Sequence, residues 1–132
     1  MQGVKMGREM QIATAVVATS DSECQEDIST IFEMCLPEAK LIFCHSGAEL
    51  LDKVNTEQFE IIIIDFTTAD KGGFNLIKQT RACASSPIVV FSYDHSPAFT
   101  KQAIESGADR CFNKPIRPFE FAAHLRALLR RG

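Results

Sequence analysis

The stretch EIIIIDF, Glu60 to Phe66, holds four consecutive isoleucines followed by a carboxylate. A β-branched run this short and this apolar predicts a strand covered on both faces, the situation in a parallel sheet under helices. Three further runs have the same character: IATAVVA (Ile12 to Ala18), KLIFC (Lys40 to Cys44) and PIVVFS (Pro87 to Ser92). A fifth, RCFN (Arg110 to Asn113), is placed by its position in the order more than by its composition.

The segments after these runs carry helical periodicity behind recognisable start signals. Beyond Ser20 and Asp21, residues Ile28, Ile31, Phe32 and Cys35 fall at i, i+3, i+4 and i+7, and Pro37 ends the run. Ser46 and Glu49 form an S-x-x-E capping box ahead of Leu50, Leu51 and Val54. Gly72 and Gly73 open a third helix that runs through Phe74 and Ile77 to about Cys83. Ser96 followed by Pro97 starts the fourth, and Gly107 stops it. After Pro118, one apolar stripe joins Phe121, Ala122, Leu125, Leu128 and Leu129. The order is β-α five times over, so right-handed crossovers place helices on both sides of one sheet.

Composition fits a single domain. The chain has 132 residues, 45% hydrophobic and 23% charged, and residues 1–10 read as a loose tail ahead of a domain over 11–132. A formal net charge of -3 without a cationic block argues against direct nucleic-acid binding. No apolar run approaches the roughly 20 residues of a membrane span, and no signal-peptide pattern is visible, so a soluble cytoplasmic protein without membrane contact is expected. Cys24, Cys35, Cys44, Cys83 and Cys111 are odd in number, form no C-x-x-C pair and lie in apolar runs, which predicts buried, reduced thiols. His45, His95 and His124 show no metal-ligand spacing, and His124 is expected as a surface or boundary residue of the last helix.

In open parallel sheets, ligands bind at the carboxyl ends of the strands. Here those ends carry Thr19-Ser20-Asp21-Ser22, Asp65, Ser92 and Asn113-Lys114-Pro115. Brought to one edge, they supply two carboxylates, a hydroxyl and an ammonium, a set suited to phosphoryl chemistry. Asp65 can act as nucleophile on a phosphoryl group. Asp21, Asp65 and a backbone carbonyl near Thr67 suit Mg2+, while Lys114 and Ser92 stabilise the phosphate oxygens. The plainer alternatives stand beside this: Asp65 as an N-cap or turn residue, Asp21 as a helix cap, Ser92 as a turn residue and Lys114 as a solvated lysine. A haloacid dehalogenase phosphatase would need a second aspartate two residues after Asp65, where this chain has Thr67. Flavin binding at Thr19 to Ser22 lacks a glycine for close backbone approach.

These residues resemble the response regulator receiver domain of two-component signalling, from about Gln11 to Arg131. The similarity is carried by IIIIDF with Gly73 eight residues after Asp65, by SPIVVFS ending in Ser92, and by ESGADRCFNKPI from Glu105 to Ile116. It implies a flavodoxin-like α/β fold, a doubly wound (βα)5 three-layer sandwich with a parallel sheet in the order 2-1-3-4-5. It also implies a bacterial phosphoacceptor switch, not an enzyme, in which Asp65 takes a phosphoryl group from a sensor histidine kinase or phosphotransfer protein. Asp21 matches the acidic metal ligand, Ser92 the switch hydroxyl, and Lys114 the phosphate-pairing lysine, followed by a cis proline. A downstream output protein or an effector domain outside this chain, and a homodimer through the last two helices, are further expected partners.

Several positions depart from the pattern. Ser20 stands in place of the first of two adjacent acids, leaving it a contact to Mg2+ through water, so weaker Mg2+ binding than usual is expected. Ala69 replaces a common proline, and Gly72-Gly73 replaces Asp-Gly. Tyr93 follows the switch serine where a small residue is usual, crowding the incoming phosphodonor, and Cys111 stands at the aromatic switch position beside Phe112. The competing expectation is an atypical pseudo-receiver, a docking or dimerisation module that works without phosphorylation.

Overall fold

A computed structural model describes residues 13–68 and 72–130 of the chain. Its strands are β1 (Thr14–Ala18), β2 (Lys40–Cys44), β3 (Ile61–Asp65), β4 (Ile88–Ser92) and β5 (Arg110–Asn113). Its helices are α1 (Ser22–Cys35), α2 (Gly47–Thr56), α3 (Gly73–Cys83), α4 (Pro97–Ser106) and α5 (Pro118–Arg130), with one 3-10 turn at Phe66–Thr68. All strands are parallel and the sheet order is β2-β1-β3-β4-β5. The expected tail, the start of the first run at Ile12 and the substitution at Ala69 lie outside the described residues.

The alternation along β3 explains how one sheet supports two cores. Ile61 and Ile63 join Val17, Phe91, Phe121 and Leu125 beneath α1 and α5. Ile62 and Ile64 join Leu50, Ile77, Val90 and Phe99 beneath α2, α3 and α4. All four isoleucines are fully buried, so the absence of polar alternation in this strand follows from helices on both faces. The edge strand β2 keeps a partly exposed side.

Local chemistry sets the helix ends. The side chains of Asp21, Ser46 and Ser96 accept the backbone N–H of Glu23, Glu49 and Phe99, capping α1, α2 and α4. In the capping box, Glu49 Oε1 reaches back to the N–H of His45 at 2.7 Å, one residue before the cap. Gly107 ends α4 with φ +128°. Gly73 is a close approach: a Cβ there would lie 2.0 Å from the Phe66 ring.

The cysteines depart from the expected burial. Cys24 and Cys44 are buried, but Cys83 is exposed, because it ends α3 on the solvent side; Cys35 and Cys111 are intermediate. All five thiols are free. The hydrophobic stripe of α5 holds, with His124 at its boundary packing edge-on against Phe112 at 5.1 Å. Among the described residues, no helix is long and apolar enough to cross a membrane.

Candidate functional site

The register of the central strands determines which side chains meet. Ala18 pairs with Ile64, so Thr19 and Asp65 lie side by side where β1 and β3 end. Asp65 pairs with Phe91, and Ser92 with Asn113, which places Lys114 one residue above the sheet edge. The Lys114–Pro115 peptide is cis.

Asp65 is fully buried and accepts four hydrogen bonds. Its Oδ1 takes the Thr67 hydroxyl at 2.8 Å and the Thr67 N–H at 3.2 Å. Its Oδ2 takes the Thr19 hydroxyl at 2.9 Å and Lys114 Nζ at 2.9 Å. The same ammonium donates to Asp21 Oδ2 at 3.0 Å, so Lys114, only 3% exposed, is clamped between two acids. Burial by itself would lower the Lys114 pKa, but the hydrogen bonds to Asp65 and Asp21 and the charge of Asp65 outweigh it and hold the ammonium protonated. The hydrogen bond from Lys114, partly opposed by burial and helped by the Glu23 N–H, holds Asp21 below the usual aspartate value.

The ring of Tyr93 covers the outer side of the ammonium, with its centroid 4.8 Å from Nζ, a cation–π contact. It joins Asp21, Cys24, Lys114 and Pro115 around a cavity of about 50 Å³. The tyrosine thus lines the mouth of the site, while remaining 57% exposed itself. Cys24 lies beneath the site, its thiol pushed up to about 11 by burial and then by the charge of Asp65, so it stays protonated.

Ser92 is buried at the end of β4, but its hydroxyl accepts the N–H of Asp94 at 2.9 Å and makes no hydrogen bond to Asp65. Ser20 is exposed, and its N–H donates to the Thr68 hydroxyl at 2.9 Å. Asp21 both caps α1 and pairs with Lys114, using one oxygen for each. Cys111 packs toward the α2–α4 side of the sheet, whereas Phe112 faces the opposite core beside Phe91 and Phe121. Two contributors were missed from the sequence: the hydroxyls of Thr19 and Thr67. Their signal was position alone, one residue past a buried strand and two past the aspartate.

The expected Mg2+ set is Asp21, Asp65, the Thr67 carbonyl and Ser20. Every carboxylate oxygen of Asp21 and Asp65 already has a protein partner. Both Oδ2 atoms point at the same ammonium, so a cation bridging them would have to take the place of Nζ. Among the described residues no buried polar side-chain atom lacks a partner, and no group of three or more His, Cys, Asp or Glu could hold a metal ion. In this arrangement the residues present do not fit a resident Mg2+.

The response regulator receiver domain family matches residues 15–126. The chain belongs to that family. This receiver is 27% identical over 117 residues to the transcriptional regulatory protein CpxR homolog of Haemophilus influenzae, covering 89% of the chain and 50% of that protein. It is 29% identical over 93 residues to the transcriptional regulatory protein KdpE of Mycobacterium tuberculosis, covering 70% of the chain and 41% of that protein. The receiver thus spans about half or less of these relatives. A two-component response regulator from Clostridium difficile superposes with a TM-score of 0.83 at 21% identity, over 90% of this chain and 97% of that one. The CheY-like receiver from Methanospirillum hungatei gives 0.82 at 16% identity, over 92% and 96%. At such identities the structural likeness speaks for the fold, and the fold is the expected flavodoxin-like one.

Proposed function

We propose that this receiver is a phosphoacceptor switch in two-component signalling, with Asp65 as the residue that takes the phosphoryl group. The observation that carries this is the convergence of Lys114 on Asp65 from the end of a strand 49 residues further along the chain, at 2.9 Å and with both side chains buried. A buried lysine held against a buried aspartate is costly as scaffolding alone. It is well suited to a carboxylate whose charge rises when it carries phosphate.

The donor would be a phosphohistidine on a sensor kinase or phosphotransfer protein. As an Asp65 oxygen bonds phosphorus, the phosphorus–nitrogen bond breaks and its electron pair stays on the imidazole. Lys114 stays protonated throughout and faces the added charge, and the N–H and hydroxyl of Thr67 lie against the oxygen not attached to phosphorus. A phosphoaspartate carries nearly two negative charges, enough to re-pair Lys114 and to draw the Ser92 hydroxyl away from Asp94. That local change would be read out by an output protein or by a further domain. Hydrolysis of the acyl phosphate returns the carboxylate, so the receiver acts as a switch and not as a turnover enzyme.

Acetyl phosphate, followed by intact-protein mass spectrometry and amide NMR, tests the assignment. Addition of one phosphoryl group and shifts around Ser92 and Lys114, both absent in Asp65→Asn, are the expected result. No mass gain in the wild type would leave a docking module that works without phosphorylation.

A further inference from the structure

Resting on Asp65 as phosphoacceptor, we propose that this receiver works without a resident divalent cation, its charge balance being supplied by Lys114 and the hydroxyls of Thr19 and Thr67, with Thr19 and Lys114 as the residues that decide it.

Mg2+ takes oxygen ligands in a strict octahedron and usually gains its protein affinity from one or two carboxylates with free lone pairs. The side chain beside Asp65 in the register is Thr19, a neutral group that donates its proton to Asp65 Oδ2 instead of presenting a second negative oxygen there. The other acid, Asp21, has its carboxylate turned to cap α1 and to pair with Lys114, while its backbone N–H donates to the Thr19 hydroxyl at 3.1 Å. With the ammonium between them, the two acids present a single net negative charge.

The protein groups also do what a cation would do for the carboxylate. Asp65 is completely withdrawn from solvent, yet all its acceptor capacity is used, by an ammonium, two hydroxyls and one amide. Lys114 is held on its outer side by the Tyr93 ring, and the adjoining cavity is about 50 Å³. An octahedral ion that keeps several of its waters would therefore require both Lys114 and Tyr93 to withdraw.

Two substitutions would each change the charge arrangement around Asp65. Thr19→Asp restores a second carboxylate next to Asp65. Lys114→Gln removes the competing cation and leaves Asp21 and Asp65 facing one another. Each change should create an affinity for Mg2+ that the natural chain lacks.

The test is a titration of the full chain with Mg2+ alone, followed by amide NMR, on the wild type, Thr19→Asp, Lys114→Gln and Asp21→Asn. Thermal melts confirm that each variant is folded. The expected result is no saturable response at residues 19–21, 65–67 and 114 in the wild type, with a gain of about tenfold or more in apparent affinity in Thr19→Asp and Lys114→Gln. Phosphoryl uptake from acetyl phosphate by the wild type should proceed equally with Mg2+ and with a chelator. Saturable Mg2+ binding by the wild type that disappears in Asp21→Asn, or uptake abolished by the chelator, overturns the proposal. Folded variants that bind no better than the wild type overturn the assignment of Thr19 and Lys114. If both variants fail to fold, the wild-type titration still decides. Absence of uptake under both conditions defeats the phosphoacceptor reading instead, and the titration then judges the metal question by itself.

Discussion

Thr19 and Asp65, 46 positions apart in the chain, are neighbours at the ends of β1 and β3, and the threonine hydroxyl donates to the aspartate at 2.9 Å. The contact joins the first strand to the site without adding charge. It also makes Asp65 dependent on a residue that has no chemistry of its own to announce it.

Thr19→Val keeps the shape and removes the donor. One acceptor of a fully buried carboxylate is then left short, which should cost about 1–3 kcal/mol. Urea denaturation checks this, and Thr19→Ser, which retains the hydroxyl, should lose less.

Lys114→Ala removes the ammonium from two acids at once and leaves buried Asp65 without its ion-pair partner, its remaining donors being Thr19 and Thr67. A loss of about 3–5 kcal/mol is expected. Combining it with Asp65→Asn should recover part of that loss, and a double-mutant cycle measures how much. A cycle in which the two losses simply add would show that the pair is not coupled.

The acid limb of stability should carry the mark of Asp21. Its folded pKa lies below the ordinary 3.8, chiefly through the hydrogen bond from Lys114. Between the two values the unfolded chain binds more protons, so stability rises with pH across that window. The contribution is complete above 3.8 and disappears as pH falls through the folded value. Denaturation midpoints measured from acid to neutral pH should fall less steeply towards acid in Asp21→Asn than in the wild type.

Gly73→Ala should destabilise by about 1–3 kcal/mol, because the added methyl meets the Phe66 ring, which in turn packs against Phe74 and Phe99. Phe119→Ser is the contrasting case. Phe119 is 85% exposed at the start of α5, and its replacement should shift stability by no more than about 0.5 kcal/mol in either direction. Thermal or urea melts of both variants distinguish a packed position from a surface one.

The sequence by itself determined the elements and the edge on which the chemistry lies. Ile61 to Ile64 could only be a strand buried on both faces, and Ser46, Ser96 and Gly107 announced helix ends through bonds made within a few residues. Asp65, Asp21 and Lys114 were visible for the same reason, each standing at the end of a recognisable element. What only the tertiary structure decided was the pairing: that Thr19 faces Asp65, that one ammonium serves both acids, that Ser92 turns to Asp94, and that Tyr93 lies over Lys114. Cys83 reached the surface because its turn of α3 faces outward, although its neighbours in sequence are apolar. Periodicity and capping are properties of adjacent residues, so composition reveals them. Register between distant strands and the direction of a side chain at a strand end come from the packing of the whole sheet, which adjacent residues do not encode.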